Sequence, residues 1–110
     1  MIEEQIQNYL ARTVEKPVWM EMPENMPKSF VLIEKTAGGD ENHILSATFA
    51  IQSYGQTKHE AAVLNEAVKK AMEAMPDTEN VFSVKLNSDY DYTDTALKRY
   101  RYQAVFDIKY

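Results

Sequence analysis

The chain contains no cysteine among its 110 residues. That excludes disulfides, thiolate metal sites and a cysteine nucleophile, and it suits a protein made in a reducing compartment. Glycines number three, histidines two and tryptophan one. Gly38 and Gly39 stand together in "AGGDEN", without the strand-loop-helix frame that a phosphate cradle needs. His43 falls at a strand start and His59 in a first helical turn, which are surface or capping places rather than catalytic ones. No serine sits in the glycine frame of a nucleophile elbow. No apolar run approaches the ~20 residues of a membrane span. The acidic, amphipathic start "MIEEQIQNYLA" lacks the basic head and apolar centre of a secretory signal. Basic residues are scarce too: 12 Lys and Arg stand against 17 Asp and Glu, for a net charge of −5. Such a chain repels a phosphate backbone on average, so tight nucleic-acid binding would need a local basic patch.

What remains is the composition of one globular domain over residues 1–110, with 45% hydrophobic and 26% charged residues. A chain of this length buries roughly 60–70% of its unfolded surface, enough for a core without staples.

Ile2, Ile6, Tyr9 and Leu10 recur at helical spacing with acids near the start, which predicts a helix over Ile2 to Arg12. Pro17, Pro23 and Pro27 bound a short extended piece, Val18 to Met22, suited to a sheet edge. "SFVLIEKT", Ser29 to Thr36, reads as a strand apolar on both faces, "AGGDEN" as a turn, and His43 to about Tyr54 as the returning strand of a hairpin. In that strand Leu45, Ala47, Phe49 and Ile51 point one way, and Ser46, Thr48, Ala50 and Gln52 the other.

Gly55 ends the strand, and "TKHE" opens a helix with a capping box, Thr57 to the Glu60 amide and Glu60 reaching back. Ala61, Leu64, Val68, Ala71, Met72 and Met75 form its apolar stripe. Glu66 and Lys70 pair at i,i+4 on its wet face, and Pro76 stops it. Two strands follow. In "VFSVKLNSD", Phe82, Val84 and Leu86 face in. In "RYRYQAVFDIKY", Tyr100, Tyr102, Ala104, Phe106, Ile108 and Tyr110 share one face, and Arg99, Arg101, Gln103, Asp107 and Lys109 the other, with Val105 the exception. Between them "SDYDYTDTALK" reads as a polar connection. The expected fold is α+β in the order α-β-β-β-α-β-β: a mostly antiparallel sheet of four to five strands, helices on one face and a polar second face.

No catalytic, cofactor or metal constellation emerges. Asp89, Asp91 and Asp94 resemble part of a calcium loop, but the sixth position holds Asp94 instead of glycine and the twelfth holds Tyr100 instead of glutamate. A solvated turn is the simpler reading. Lys98, Arg99 and Arg101 beside Tyr100 and Tyr102 form the one basic cluster. Alternation puts these arginines and tyrosines on opposite faces, so they do not make one stacking platform. Trp19, Met20, Met22 and Met26 lie in the proline-punctuated segment, where apolar side chains serve as a core lid or as a partner contact. Trp19, Met20, Met22, Met26, Arg99 and Arg101 are thus the candidate interface residues, and the two arginines, as surface residues, are expected to matter for assembly and little for folding.

The layout resembles the tail terminator (tail completion) and related neck proteins of long-tailed bacteriophages and prophages. The likeness rests on a short N-terminal helix, "KPVWMEMPENMPKSFVLIEKTAGG", a strand-to-helix passage "AIQSYGQTKHEAAVLNEAVKKAM" and the terminal "RYRYQAVFDIKY". It implies a structural, non-enzymatic protein without cofactor or metal, at the head-proximal end of the virion tail after assembly in the host cytoplasm. It also implies a ring, commonly hexameric, that caps the tail tube, ends polymerisation and meets the head connector, with DNA passing through untethered and no membrane involved. Other head-tail joining neck proteins share these features. A small α+β ligand-binding domain is the rival from the residues alone, with Arg99, Arg101 and Lys85 as anion contacts but no general base in any readable pattern.

Overall fold

The computed structural model describes residues 1–96 and 99–110. It has two helices, α1 (Ile2–Val14) and α2 (Lys58–Thr78), and five strands: β1 (Val18–Trp19), β2 (Phe30–Glu41), β3 (Ile44–Gly55), β4 (Ser83–Asp91) and β5 (Tyr100–Lys109). The strands form one sheet in the order β1-β2-β3-β5-β4. All pairs are antiparallel except β1 with β2. The α+β class and the element order are those expected. β1 is shorter than the Val18–Met22 piece, because it pairs only at Val31 and Leu32.

Both helices lie on one sheet face. Ile2, Ile6, Tyr9 and Leu10 of α1 are buried, and the Tyr9 hydroxyl donates to the Ala71 carbonyl of α2 at 2.6 Å. The stripe from Ala61 to Met75 is buried as its spacing predicts, with Asn65 added to it. Beneath lie Val31 and Ile33, Ala47, Phe49 and Ile51, and Ala104, Phe106 and Ile108. Met72, Phe49 and Ile6 are fully enclosed; burying each such side chain contributes ~2 kcal/mol.

Four local expectations are corrected. First, Gly38 and Gly39 are strand residues. β2 runs on to Glu41, and the reversal falls at Asn42 and His43 with φ of 54° and 66°. That is a two-residue turn between the paired Glu41 and Ile44, in the geometry whose twist matches a hairpin. Second, Pro76 does not end α2. It sits in the last turn, so the bond it cannot donate is nearly the last one, and the helix closes at Thr78 with the Glu79 amide bonding the Met75 carbonyl. Third, Phe82 is not in the core but 76% exposed, since β4 begins only at Ser83, and Leu86 is exposed as well. Fourth, β4 extends through Asp91, and a bulge between Leu86 and Ser88 shifts its phase. "SDYD" therefore belongs to a strand, and Asp89 and Asp91 turn toward α2.

That phase shift creates a polar seam. Lys69 Nζ bonds both Asp89 and Glu66, Asn65 Nδ2 donates to Asp89 at 2.7 Å, and Lys58 meets Asp91 at 3.0 Å. Glu66 thus pairs with Lys69 at i,i+3 instead of with Lys70. The Thr93 hydroxyl and amide, and then Lys58, hold the Asp91 carboxyl down at about 2 from its ordinary 3.8. A depressed carboxylate adds stability above its unfolded value and loses it as pH falls through the folded one. Asp91→Asn is therefore expected to melt below wild type at pH 5, and the gap to close between about pH 4 and pH 2. Melting curves across that range check it; a gap constant down to pH 2 would contradict the pairing.

At the start of α2, beside Lys58, the capping box forms. Thr57 Oγ1 accepts from the Glu60 amide at 3.1 Å, and Glu60 Oε2 reaches back to the Gln56 amide at 2.9 Å, one residue before the cap. Thr57→Ala is expected to cost about 1 kcal/mol, read as a lower denaturant midpoint with unchanged slope.

Candidate assembly surfaces

The sheet face away from the helices carries a second, smaller buried layer. Phe30 and Tyr54 stack at 4.4 Å with their rings nearly parallel, and both are enclosed. The register sets Gln52 opposite Gln103 and Tyr54 opposite Arg101. A hydrogen-bond relay follows from that pairing. Arg101 Nη1 donates to the Tyr54 hydroxyl at 2.9 Å, and Tyr54 donates to Gln52 Oε1 at 3.2 Å. Gln52 Nε2 donates to Gln103 Oε1 at 2.8 Å, and Gln103 Nε2 donates to the Tyr90 hydroxyl. Arg101 also lies 4.4 Å from the Tyr92 ring centre, and its Nε donates to the Tyr92 carbonyl at 2.7 Å. The polar face is therefore a connected network over its upper half, where the buried Gln52 and Gln103 side chains find partners.

Arg101 does meet tyrosines here, but they are tyrosines of other segments. The tyrosines come from β3 and from the chain beyond β4, not from Tyr100 and Tyr102. Those two sit only half-buried, close to Lys58, because the first turn of α2 above them is polar.

The six candidate interface residues divide. Arg99 and Arg101 each approach the Tyr54 ring at 5.8 Å, and Arg99 Nη2 contacts Met26 Sδ at 2.8 Å. Arg99 and Arg101 thus converge on Tyr54, and Met26 meets Arg99, joining the proline-rich segment to β5. Trp19 sits in β1 at the sheet edge, and Met20 and Met22 follow it into solvent; all three are 39–47% exposed. Lys98 lies outside the described residues. Lys85 faces Asp107 at the far end of β5 from Arg101, so the three cations of the ligand-binding reading do not converge. Among the described residues, no group of three or more His, Cys, Asp or Glu is placed to hold a metal ion, and no helix is long and apolar enough to cross a membrane.

Two sheet edges are open. β1 covers β2 only at Val31 and Leu32, and β4 has a partner on one side alone. The β2–β3 hairpin also outruns the body. β5 pairs with β3 no further than Ser46, all of Glu34–Glu41 is exposed, and the molecule measures 44 × 25 × 24 Å. Ile44 and Leu45 near its tip are exposed apolar residues. Beside β4, an open groove of about 850 Å³ runs under α2, floored by Val84, Leu86 and Phe106 and flanked by Lys70 and Glu73.

The projecting arm and the network were not visible in the sequence, because each depends on strand register. The signal that could have found the arm is "DENH" between two strands of equal length, a polar reversal placed after the glycines.

No protein-family model and no curated protein matches the sequence. The fold is similar to that of a chain in a solved structure described as the virion of a native gene transfer agent (GTA) particle. The TM-score is 0.69 at 15% identity, with 96% of this chain and 89% of that chain covered. At that identity the likeness is one of fold.

Proposed function

We propose that this chain is a structural, non-enzymatic subunit of a phage-type virion. Its place is the head-proximal end of the tail, where a ring of copies, commonly six, caps the tail tube, ends its polymerisation and meets the head connector. The observation that carries the reading is the fold shared over nearly the whole chain with a component of a virion particle. Three features of the chain support it. The open edges at β2 and β4 lie on opposite sides of the sheet, the arrangement that a head-to-tail contact needs to close a ring. Trp19, Met20 and Met22 give an exposed apolar strip at one edge. The net charge of −5 suits a lumen through which DNA slides without sticking. A head-tail joining neck protein would present the same features one ring further toward the head.

Light scattering over a wide concentration range, with and without the tail-tube protein of the same particle, tests the ring. The expected result is a discrete species of fixed copy number, by itself or on the tube end. A strict monomer in every condition would contradict the reading.

A further inference from the structure

The two open edges match each other in direction, height and charge. β2 is antiparallel to β3, β3 to β5 and β5 to β4, so β4 runs opposite to β2. If copies are related by rotation about an axis along the strands, the β2 of one meets the β4 of the next in antiparallel orientation. The heights follow from the register. Ser83, Lys109, Ser46 and Gly39 lie in one row across the sheet, and Lys85, Asp107, Thr48 and Ala37 in another. The bulges of both edge strands lie beyond these rows, between Lys35 and Ala37 and between Leu86 and Ser88. Below them each edge is regular. Gly38 and Gly39 leave the arm without side chains where the bulkier β4 edge would approach. The unpaired charges are opposite. Around β4, Lys70, Lys85 and Lys109 stand against Glu73 and Asp107, while the arm carries Glu34, Asp40 and Glu41 against Lys35; among the described residues none of these forms an ion pair.

We infer that the Ala37–Glu41 edge of β2 in one copy pairs with the Ser83–Leu86 edge of β4 in the next copy, so that the sheet runs on from subunit to subunit. The inference rests on the ring reading and supplies its contact. The arm then closes the open side of the groove beneath α2, with Asp40, which shares the helix-side face of the arm, brought toward Lys70. Backbone hydrogen bonds supply the affinity of such strand addition, and the matched charges fix its register. Pairing also removes two unprotected edges that would otherwise invite aggregation.

The absence of cysteine makes the test direct. Ala37→Cys and Lys85→Cys both fall on exposed positions and are expected to leave the melt near that of wild type. The two purified variants are mixed, with and without tail-tube protein, and oxidised. The expected result is a disulfide-linked dimer only when both variants are present, and a ladder ending at the ring number for the double variant. Gly39→Cys with Ser83→Cys, one face-equivalent row lower, repeats the test should either variant fold poorly. Tyr90→Cys, beyond the bulge, is expected to give no dimer with Ala37→Cys. Rings that form without the Ala37–Lys85 link would overturn the inference and leave the ring standing. A link between two Ala37→Cys copies would overturn it in favour of a symmetric arm contact. No rings and no links would overturn both.

Discussion

Gly55→Ala is expected to destabilise the fold by about 3 kcal/mol, a fall in Tm of roughly 10–15 °C for a domain of this size. The cause is space, not backbone conformation, since no glycine here has positive φ. A Cβ on Gly55 would lie 2.6 Å from the Ala61 amide nitrogen, 2.9 Å from Glu60 Cβ and 3.0 Å from the Glu60 carbonyl carbon. Two of those atoms are backbone in the first turn of α2. That turn is held by the Thr57 cap and by the bond from the Ala61 amide to the Thr57 carbonyl. Relief would have to move the helix, and with it the buried stripe from Ala61 to Met75. The strand stops at Tyr54-Gly55 and the helix follows at once because only a residue without a side chain lets the helix fold back so tightly. Gly39→Ala is the control. Its Cβ meets only the Ser46 hydroxyl at 3.1 Å, a side chain that can turn away, so its effect should stay within ~0.5 kcal/mol. Denaturant melts of the two variants decide it. Equal midpoints would mean that α2 does not approach the strand end as described.

Arg101→Ala is expected to cost about 2 kcal/mol, while Arg99→Ala stays within ~0.5 kcal/mol. Arg101 gives hydrogen bonds to the Tyr92 carbonyl and the Tyr54 hydroxyl and lies over the Tyr92 ring. It is half-buried and works inside the fold. Arg99 has the Tyr54 ring at 5.8 Å and the Met26 sulfur, and its removal orphans no buried group. The sequence suggested that the two arginines act together in assembly and that a double alanine variant melts near wild type. Their partners divide them: the double variant should melt as Arg101→Ala does, and Arg99 keeps the outward role. Arg101→Lys should recover only part of the loss, because an ammonium cannot reproduce the planar fork that serves ring and carbonyl together. Melts of the three variants check this. A wild-type melt for Arg101→Ala would mean that the relay through Tyr54 and Gln52 adds no stability.

Local signals carried well from sequence to structure, and signals that depend on register did not. The α2 stripe and its cap were legible because spacing and a Thr-x-x-Glu pattern act within one helix. The period-two run of β5 was legible for the same reason, with Ala104, Phe106 and Ile108 buried as expected. The β2–β3 turn was displaced because glycines attract a turn assignment, whereas the positive φ angles fall on Asn42 and His43. Asp89 and Asp91 were read as loop acids because one bulged residue in β4 inverts every later side chain. Phe82 continues the alternation of Val84 and Leu86 yet precedes the strand, so the pattern outlasted the element that gives it meaning. The Arg101–Tyr54–Gln52–Gln103–Tyr90 relay draws on three strands, and no single window contains it. For the candidate interface, sequence composition picked out the exposed methionines and Trp19. The convergence of Arg99 and Arg101 on the Tyr54 ring, with Met26 against Arg99, needed the fold.

The proposal under test is a ring-forming role for this chain in a phage-type tail. Electron cryomicroscopy of particles purified from the organism that carries the chain tests it most directly. The expected result is one ring of this fold at the head-proximal end of each tail, with β4 of each copy beside β2 of the next. Particles with intact heads and tails that contain no copy of the chain would contradict it.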